Sequence, residues 1–177
     1  MTGRTHALLG AVTWVVVAGE AVPGAPSSGE IAFGAVICAG RALLPDLDHV
    51  GSRASRAGGV ATRALAVGVR TAAGGHRGAT HSAVAVLALW LGLTAVADRM
   101  LVPDARWIAD AVAAGALSHL VADGLTAGGV PLLWPLTRRR LGVPLARTGG
   151  SVDRLVGLAC LALLAVVAIR SVWPALL

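Results

Sequence analysis

Apolar positions gather into five runs, Ala7–Val22, Ile31–Leu44, Ala79–Ala97, Trp107–Ala122 and Leu155–Leu177, with stretches rich in glycine, proline and arginine between them. Crossing a bilayer as a helix takes roughly 20 residues, with a floor near 17. The third and fifth runs reach that length. The first, second and fourth fall short unless their polar ends also enter the membrane, and the second fits a re-entrant segment as well. Between the second and third runs Arg56, Arg63, Arg70 and Arg77 recur every seven residues. On a helix that spacing drifts only about 20° per step and makes one charged stripe. An amphipathic helix in the headgroup layer fits it, its stripe either a solvated face or a lip that holds anionic lipid or substrate. The pattern therefore predicts one all-α domain over residues 1–177, a polytopic membrane protein with four to five transmembrane helices plus an interfacial helix.

Composition agrees with a bilayer as solvent. Charged residues make up 14% of the chain and mean hydropathy is +0.76, whereas a soluble domain carries about 25% charged residues. The net charge of +6 comes from arginine alone. A pI near 11.4 is also the mark of nucleic-acid binding, but these arginines flank apolar runs, so membrane topology explains them and no nucleic-acid partner is expected. Cys38 and Cys160 fall inside apolar runs and read as small buried hydrophobes. The first twenty residues resemble a signal peptide. Cleavage would remove His6, so they are read as a retained first span.

Sidedness follows from the arginines. With a cytoplasmic N-terminus and alternating spans, Arg4, Arg41, Arg53, Arg56, Arg63, Arg70, Arg77, Arg138, Arg139, Arg140, Arg147 and Arg154 lie inside, and Arg99, Arg106 and Arg170 outside. This is a positive-inside distribution. Trp107 and Trp173 then mark the outer interface, and Arg106 with Asp110 forms an i,i+4 pair there. The same assignment brings every polar cluster to the inner face. His6 opens the first run, Asp46, Asp48 and His49 close the second, His81 opens the third, and His119 with Asp123 closes the fourth. Imidazoles and carboxylates are scarce in so apolar a chain, and their convergence on one face is best explained by a shared cation.

His119 and Asp123, at i and i+4, share a helical face. They either bind one divalent ion together or the carboxylate orients the ring. Pro45 disfavours helical geometry at Leu44, so the chain is expected to leave the second run extended, with Asp46 and Asp48 aimed at one place. Two such carboxylates repel unless a cation sits between them; pairing with Arg41 or Arg53 in a loop is the alternative. Thr80 is expected to cap the third helix, with Ser82 just inside it, leaving backbone amides that favour an anion. Arg77 offers a fork suited to phosphate. His81 reads as a ligand, His76 as a ligand or a phosphate contact, and His6 as a ligand by position. His49 joins the metal set. Arg77, Thr80, Ser82 and Arg138 are the candidate substrate contacts. Asp48 and Arg77 are the candidate catalytic groups, with Asp48 as general base. A His/Asp set without cysteine suits zinc, with manganese or iron possible, as one or two ions. Such a site, flanked by arginine, attracts an anion, and hydrolysis of a phosphoester by metal-activated water is its natural chemistry. No Gly-x-Ser-x-Gly elbow supports a serine hydrolase.

These clusters resemble the LexA-regulated, membrane-bound, metal-dependent hydrolase family (YdjM-like) of bacterial inner membranes. The resemblance rests on Thr5-His6, Leu44-Pro45-Asp46-Leu47-Asp48-His49, His76-Arg77-Gly78-Ala79-Thr80-His81-Ser82, and Ser118-His119-Leu120 through Asp123, Thr126 and Gly129 to Leu132-Leu133-Trp134-Pro135. It covers residues 1–135. The remainder, 136–177, is a basic loop and a last span. Val50-Gly51 follows His49 where the family usually has proline, which bears on the shape of that loop. The family is distantly similar to zinc-dependent phospholipase C and the single-strand-specific nucleases, which implies phosphoester hydrolysis on a phosphorylated lipid or other anionic substrate. Two other functions compete with it. One is a non-catalytic metal-binding or ion-translocating protein, which would carry polar residues through mid-membrane, where this chain is almost bare. The other is a scaffold whose polar clusters only knit helix ends together.

Overall fold

Alanine and glycine dominate the run from Ala109 to Ala122, and α6 (Arg106–Gly124) is accordingly the helix around which the others close. The structure is a computed structural model that describes residues 1–20, 27–49, 51–56, 58–75, 77–100 and 105–172. His76, Val50 and Trp173, each given a part above, lie outside them. α1 (Gly3–Glu20), α2 (Ser28–Arg41) and α5 (Ala83–Arg99) all pack on α6, and α7 (Ser151–Val172) packs on α1 from outside. The described residues form an all-α fold, with two isolated bridges in place of a sheet.

Three helices meet where side chains are absent. A β-carbon at Gly10 of α1 would lie 2.8 Å from the Cys38 carbonyl oxygen of α2, and one at Gly115 of α6 would fall well inside van der Waals distance of the same atom. Small residues at such a crossing let backbones approach closely, the usual packing of helices in lipid. Trp14, fully buried, fills the next layer, and Gly34 leaves room for its indole. Trp107 closes that end, with its ring 6.1 Å from Trp14 and 6.3 Å from Phe33. Cys38 and Cys160 are both buried free thiols.

Several local expectations give way. The chain does not leave α2 extended. Leu44 is helical (φ −68°, ψ −34°) and Pro45–Asp48 forms a 3-10 turn, closed by Leu47 N–H to Leu44 O at 2.9 Å and His49 N–H to Asp46 O at 3.0 Å. Proline suits the first position of such a turn, where its fixed φ fits and its missing N–H costs nothing. With about three residues per turn, Asp46 and Asp48 then point different ways. The arginine stripe is also divided. Arg56 ends the short α3 (Arg53–Arg56), Arg63 and Arg70 lie on α4 (Gly59–Ala72), and Arg77 falls in the turn beyond. α4 buries Ala66 and exposes Val60, Leu65 and Val67 beside Arg63 and Arg70. The third apolar run begins as another 3-10 turn, Ala79–His81. Ser82, not Thr80, caps α5, accepting from the amides of Val84 and Ala85. At the far end Arg106 pairs with Asp98 at 2.6 Å, while Asp110 accepts from Trp90 Nε1 at 2.8 Å. The expected Arg106–Asp110 pair is replaced by contacts to α5.

Among the described residues one helix, Ser151–Arg170 of α7, is long and apolar enough to cross a membrane by itself. Its 20 residues extend about 30 Å. Leu155, Leu158, Leu161 and Ile169 project outward from it, as Phe33 and Val36 do from α2 and Leu87 and Leu91 from α5. Apolar surface of this extent marks faces that meet lipid or another protein. After α6 the chain folds without helix until α7, pinned by a Val130–Leu141 antiparallel bridge and a Thr126–Ala146 parallel bridge.

The crossing at Cys38 can be tested against an open position. Gly115→Ala must push backbones apart and is expected to cost about 1–3 kcal/mol. Gly92, with nothing within 4 Å of its missing β-carbon, should tolerate alanine with no loss and up to about 1 kcal/mol of gain. Thermal unfolding of the detergent-purified variants reads the difference; equal melting temperatures would refute the close crossing.

Candidate metal centre

Four helix or turn ends deliver the polar groups to one place. His6 comes from the first turn of α1, Asp46 from the 3-10 turn after α2, His81 from the turn before α5, and His119 with Asp123 from the last turns of α6. Asp46, His81, His119 and Asp123 each offer a donor atom, and those atoms lie within 4.8 Å of one another. The two histidines and Asp123 are buried, while Asp46 keeps a quarter of its side chain in contact with solvent.

Hydrogen bonds set the tautomers. His119 Nδ1 lies 2.7 Å from the Ala42 carbonyl oxygen. A carbonyl only accepts, so Nδ1 carries the proton and Nε2 presents a lone pair. Thr80 Oγ1 donates to Asp48 Oδ2 at 2.6 Å and lies 3.0 Å from His81 Nδ1. Its own proton being committed, the hydroxyl accepts from His81 Nδ1–H, and His81 Nε2 is the second lone pair. The two Nε2 atoms face each other at 3.2 Å. That arrangement calls for a cation between them. Asp46 Oδ1 stands 3.9 Å from His81 Nε2 and 3.8 Å from His119 Nε2, and Asp123 Oδ2 stands 3.8 Å from both. Those gaps are too wide for a carboxylate to hydrogen-bond a proton on either ring. They suit four ligands drawn around one metal ion, for which neighbouring donors about 2.0–2.1 Å from the ion sit roughly 3.3 Å apart.

Asp123 is the electrostatic centre. Its Oδ1 accepts from the Met1 α-amino group at 3.0 Å and lies 3.3 Å from His6 Nε2. Its Oδ2 takes the Arg77 Nη2. Arg77 is fixed further by Nη1 to Gly129 O at 2.8 Å and by its own amide to Asp48 Oδ2 at 2.9 Å. It holds φ +58°, a left-handed conformation that costs a non-glycine residue about 1–3 kcal/mol and persists where surrounding contacts demand it. His6 is buried and stacked on His119, ring centroids 4.0 Å apart. Neither of its nitrogens makes a well-aligned hydrogen bond within the described residues. Its Nε2 faces Asp123 Oδ1, so the ring stands at the edge of the same polar cluster.

Other expected site residues lie elsewhere. Asp48, expected as ligand and base, is fully buried on the Nδ1 side of His81, 3.6 Å away, where it orients the ring through Thr80. Thr80 is the relay between them. His49 is exposed and accepts from the Gly51 amide at 3.2 Å. Ser82 is consumed by capping α5 and by a 2.6 Å bond to the Trp134 carbonyl. Arg138, Arg140 and Arg147 are all exposed, and the last two, not Arg138, line a cleft with Arg77. Sequence reasoning misses the Ala42 carbonyl and those two arginines. Backbone carries no sequence signal, and one arginine of a basic loop looks like another.

The sequence profile of the YdjM inner membrane protein family matches residues 1–176. The chain belongs to that family. It is 38% identical over 140 residues to the inner membrane protein YdjM of Escherichia coli (strain K12), an alignment covering 74% of this chain and 61% of the relative. The YdjM protein of Shigella flexneri matches at the same identity and coverage. The chain thus spans about three fifths of the length of these curated relatives. No solved structure matches it significantly. Membership in an inner membrane family accounts for the apolar outer surfaces of α2, α5 and α7.

Elemental analysis of the detergent-purified protein should find one divalent ion per chain. His119→Ala and Asp46→Ala should lose it, and His49→Ala should keep it. Asp48→Asn should weaken retention about 10–100-fold, the usual effect of disturbing a ligand's support. Full occupancy in both ligand variants would remove the centre as described.

Proposed function

We propose that this chain is a multi-pass, metal-dependent hydrolase of phosphoesters, working at the cytoplasmic face of the bacterial inner membrane on an anionic, lipid-borne or other phosphorylated substrate. The observation that carries the reading is the pair of inward-facing Nε2 lone pairs flanked by two carboxylates, with an arginine fixed beside them. Zinc fits the donor set best, with manganese or iron as alternatives, because two imidazoles and two oxygens without sulfur suit these borderline ions. When bound, the ion supplies Lewis acidity toward a phosphoryl oxygen and acidifies water.

The chain's own groups divide the remaining work. The Ala42 carbonyl and the Thr80–Asp48 relay hold the two imidazoles in the metal-binding tautomer. Arg77 anchors Asp123 with one N–H and directs others toward substrate oxygens. Asp46, the ligand with solvent contact, is placed to take a proton from attacking water. Water adds to phosphorus, its proton passes to Asp46, and the bond to the leaving oxygen breaks. That oxygen is protonated from solvent. The distribution of arginines supports a cytoplasmic N-terminus, and α4, with Arg63 and Arg70 beside exposed valine and leucine, supports an interfacial helix at the same face.

Purified protein should release phosphate from phosphomonoester or phosphodiester substrates, lose the activity to a chelator, and regain it on adding zinc. His119→Ala should abolish turnover. Asp46→Asn should lower kcat at least 100-fold even at saturating metal. Metal binding without any phosphate release across a panel of lipid and soluble esters would leave a binding protein and sink the hydrolase reading.

A further inference from the structure

A basic cleft opens directly beside Asp123. It has a volume of about 420 Å³ and is lined by Arg77, Arg140, Arg147, Thr126 and Thr148, together with the small residues Ala127, Gly128 and Ala146. Three guanidinium groups share this lining and no carboxylate does. Arg77 belongs to both places. One Nη bonds Asp123 and the other bonds the Gly129 carbonyl, which leaves three of its five N–H groups without a partner among the described residues. Its guanidinium passes so close over Gly128 that a β-carbon there would collide with it. The missing side chain lets the arginine reach from the metal centre into the cleft. Thr126, itself buried, donates its hydroxyl to the Asp123 carbonyl at 2.8 Å and keeps its lone pairs.

The cleft owes its shape to the loop after α6. Val143 N–H reaches the Gly124 carbonyl at 2.7 Å, and the Thr126–Ala146 bridge sets Arg147 beside that turn. Gly142 crosses Gly129 where a β-carbon would come within 2.7 Å of its Cα. Gathered cations repel one another, and an anion offsets that repulsion. Arginine forks match phosphoryl oxygens bidentately. The same loop carries an apolar fringe: Leu136 is 84% exposed, Leu145 64% and Val143 54%. Leucine and valine exposed on a loop, interleaved with arginine, is the composition of a segment lying in the headgroup layer.

We propose that this cleft binds a phosphoryl group and that its apolar fringe selects a phosphate borne on a lipid. Arg140 and Arg147 grip the non-reacting oxygens, and Arg77 spans from the bound group to the Asp123 side of the metal centre. The purpose of the cleft rests on the hydrolase reading; the binding itself does not, so the two can fail separately.

The test is calorimetric titration of the full chain in zwitterionic detergent, with metal present and after chelation. The probes are inorganic phosphate, a short-chain phosphatidic acid and an uncharged lipid of the same chain length. Phosphatidic acid should bind in both metal states, and R140Q/R147Q should weaken it at least tenfold with metal content unchanged. R99Q/R170Q, which removes the same charge from the opposite helix ends, should bind as the parent does. Phosphatidic acid binding tighter than inorganic phosphate confirms the lipid source. Equal affinity for the two keeps the phosphoryl site and overturns lipid selection. Unchanged affinity in R140Q/R147Q, an equal loss in R99Q/R170Q, or equal binding of the uncharged lipid overturns the cleft. Binding without any turnover would uphold the cleft and fail the hydrolase reading.

Discussion

The approach of α1 and α6 to the Cys38 carbonyl fixes the whole polar centre. Gly10 and Gly115 bring two backbones against the same oxygen of α2, and the consequences appear one turn further along each helix. His119 is one turn beyond Gly115, and the carbonyl it reaches is Ala42, one turn beyond Cys38. His6 is one turn before Gly10, and its ring stacks on His119. A wider crossing would separate the imidazole from the carbonyl that sets its tautomer and part the two rings. The centre is therefore held by backbone geometry, with side-chain bonds refining it. Apolar packing has little directional force, and a close backbone crossing supplies the register that it lacks.

A second layer of support sits behind His81. The buried Asp48, Thr80 and the Arg77 amide form a small network that connects the turn after α2 to the turn before α5. The same segment carries Arg77 to Asp123, so the motif from residue 77 to 82 positions a ligand, its orienting hydroxyl and a cation at once. Ser82 then starts α5 while tying it to the Trp134 carbonyl. The stretch from Leu132 to Pro135 holds no ligand, yet its Leu132 and Trp134 carbonyls receive the bonds from Ala83 and Ser82, next to His81.

Much of this is legible in the chain. The five apolar runs correspond to α1, α2, α5, α6 and α7, because a run of a dozen or more apolar residues stays recognisable when its ends are misplaced by a few positions. The convergence of His6, Asp46, His81, His119 and Asp123 is legible because each of them stands at an end of an apolar run, and the structure brings those ends together. The ends themselves are less legible. Pro45 reads as a barrier to helix, yet proline at the head of a 3-10 turn is compatible with a helical residue before it, and this moves Asp48 from ligand to support. Thr80 reads as the cap of the third helix, yet its hydroxyl is taken by Asp48, which only the fold brings near, and Ser82 caps α5 instead. Arg140 and Arg147 gain their meaning from two single-residue bridges that no periodicity announces.

X-ray absorption at the metal edge tests the central claim most directly, because it reads the ligands and not the consequences of losing them. The zinc-loaded, detergent-purified protein should show an inner shell of two imidazole nitrogens, two carboxylate oxygens and a water oxygen near 2.0–2.2 Å, with the outer-shell scattering that imidazole rings produce. A shell containing sulfur, or one made of oxygen alone without imidazole scattering, would contradict it.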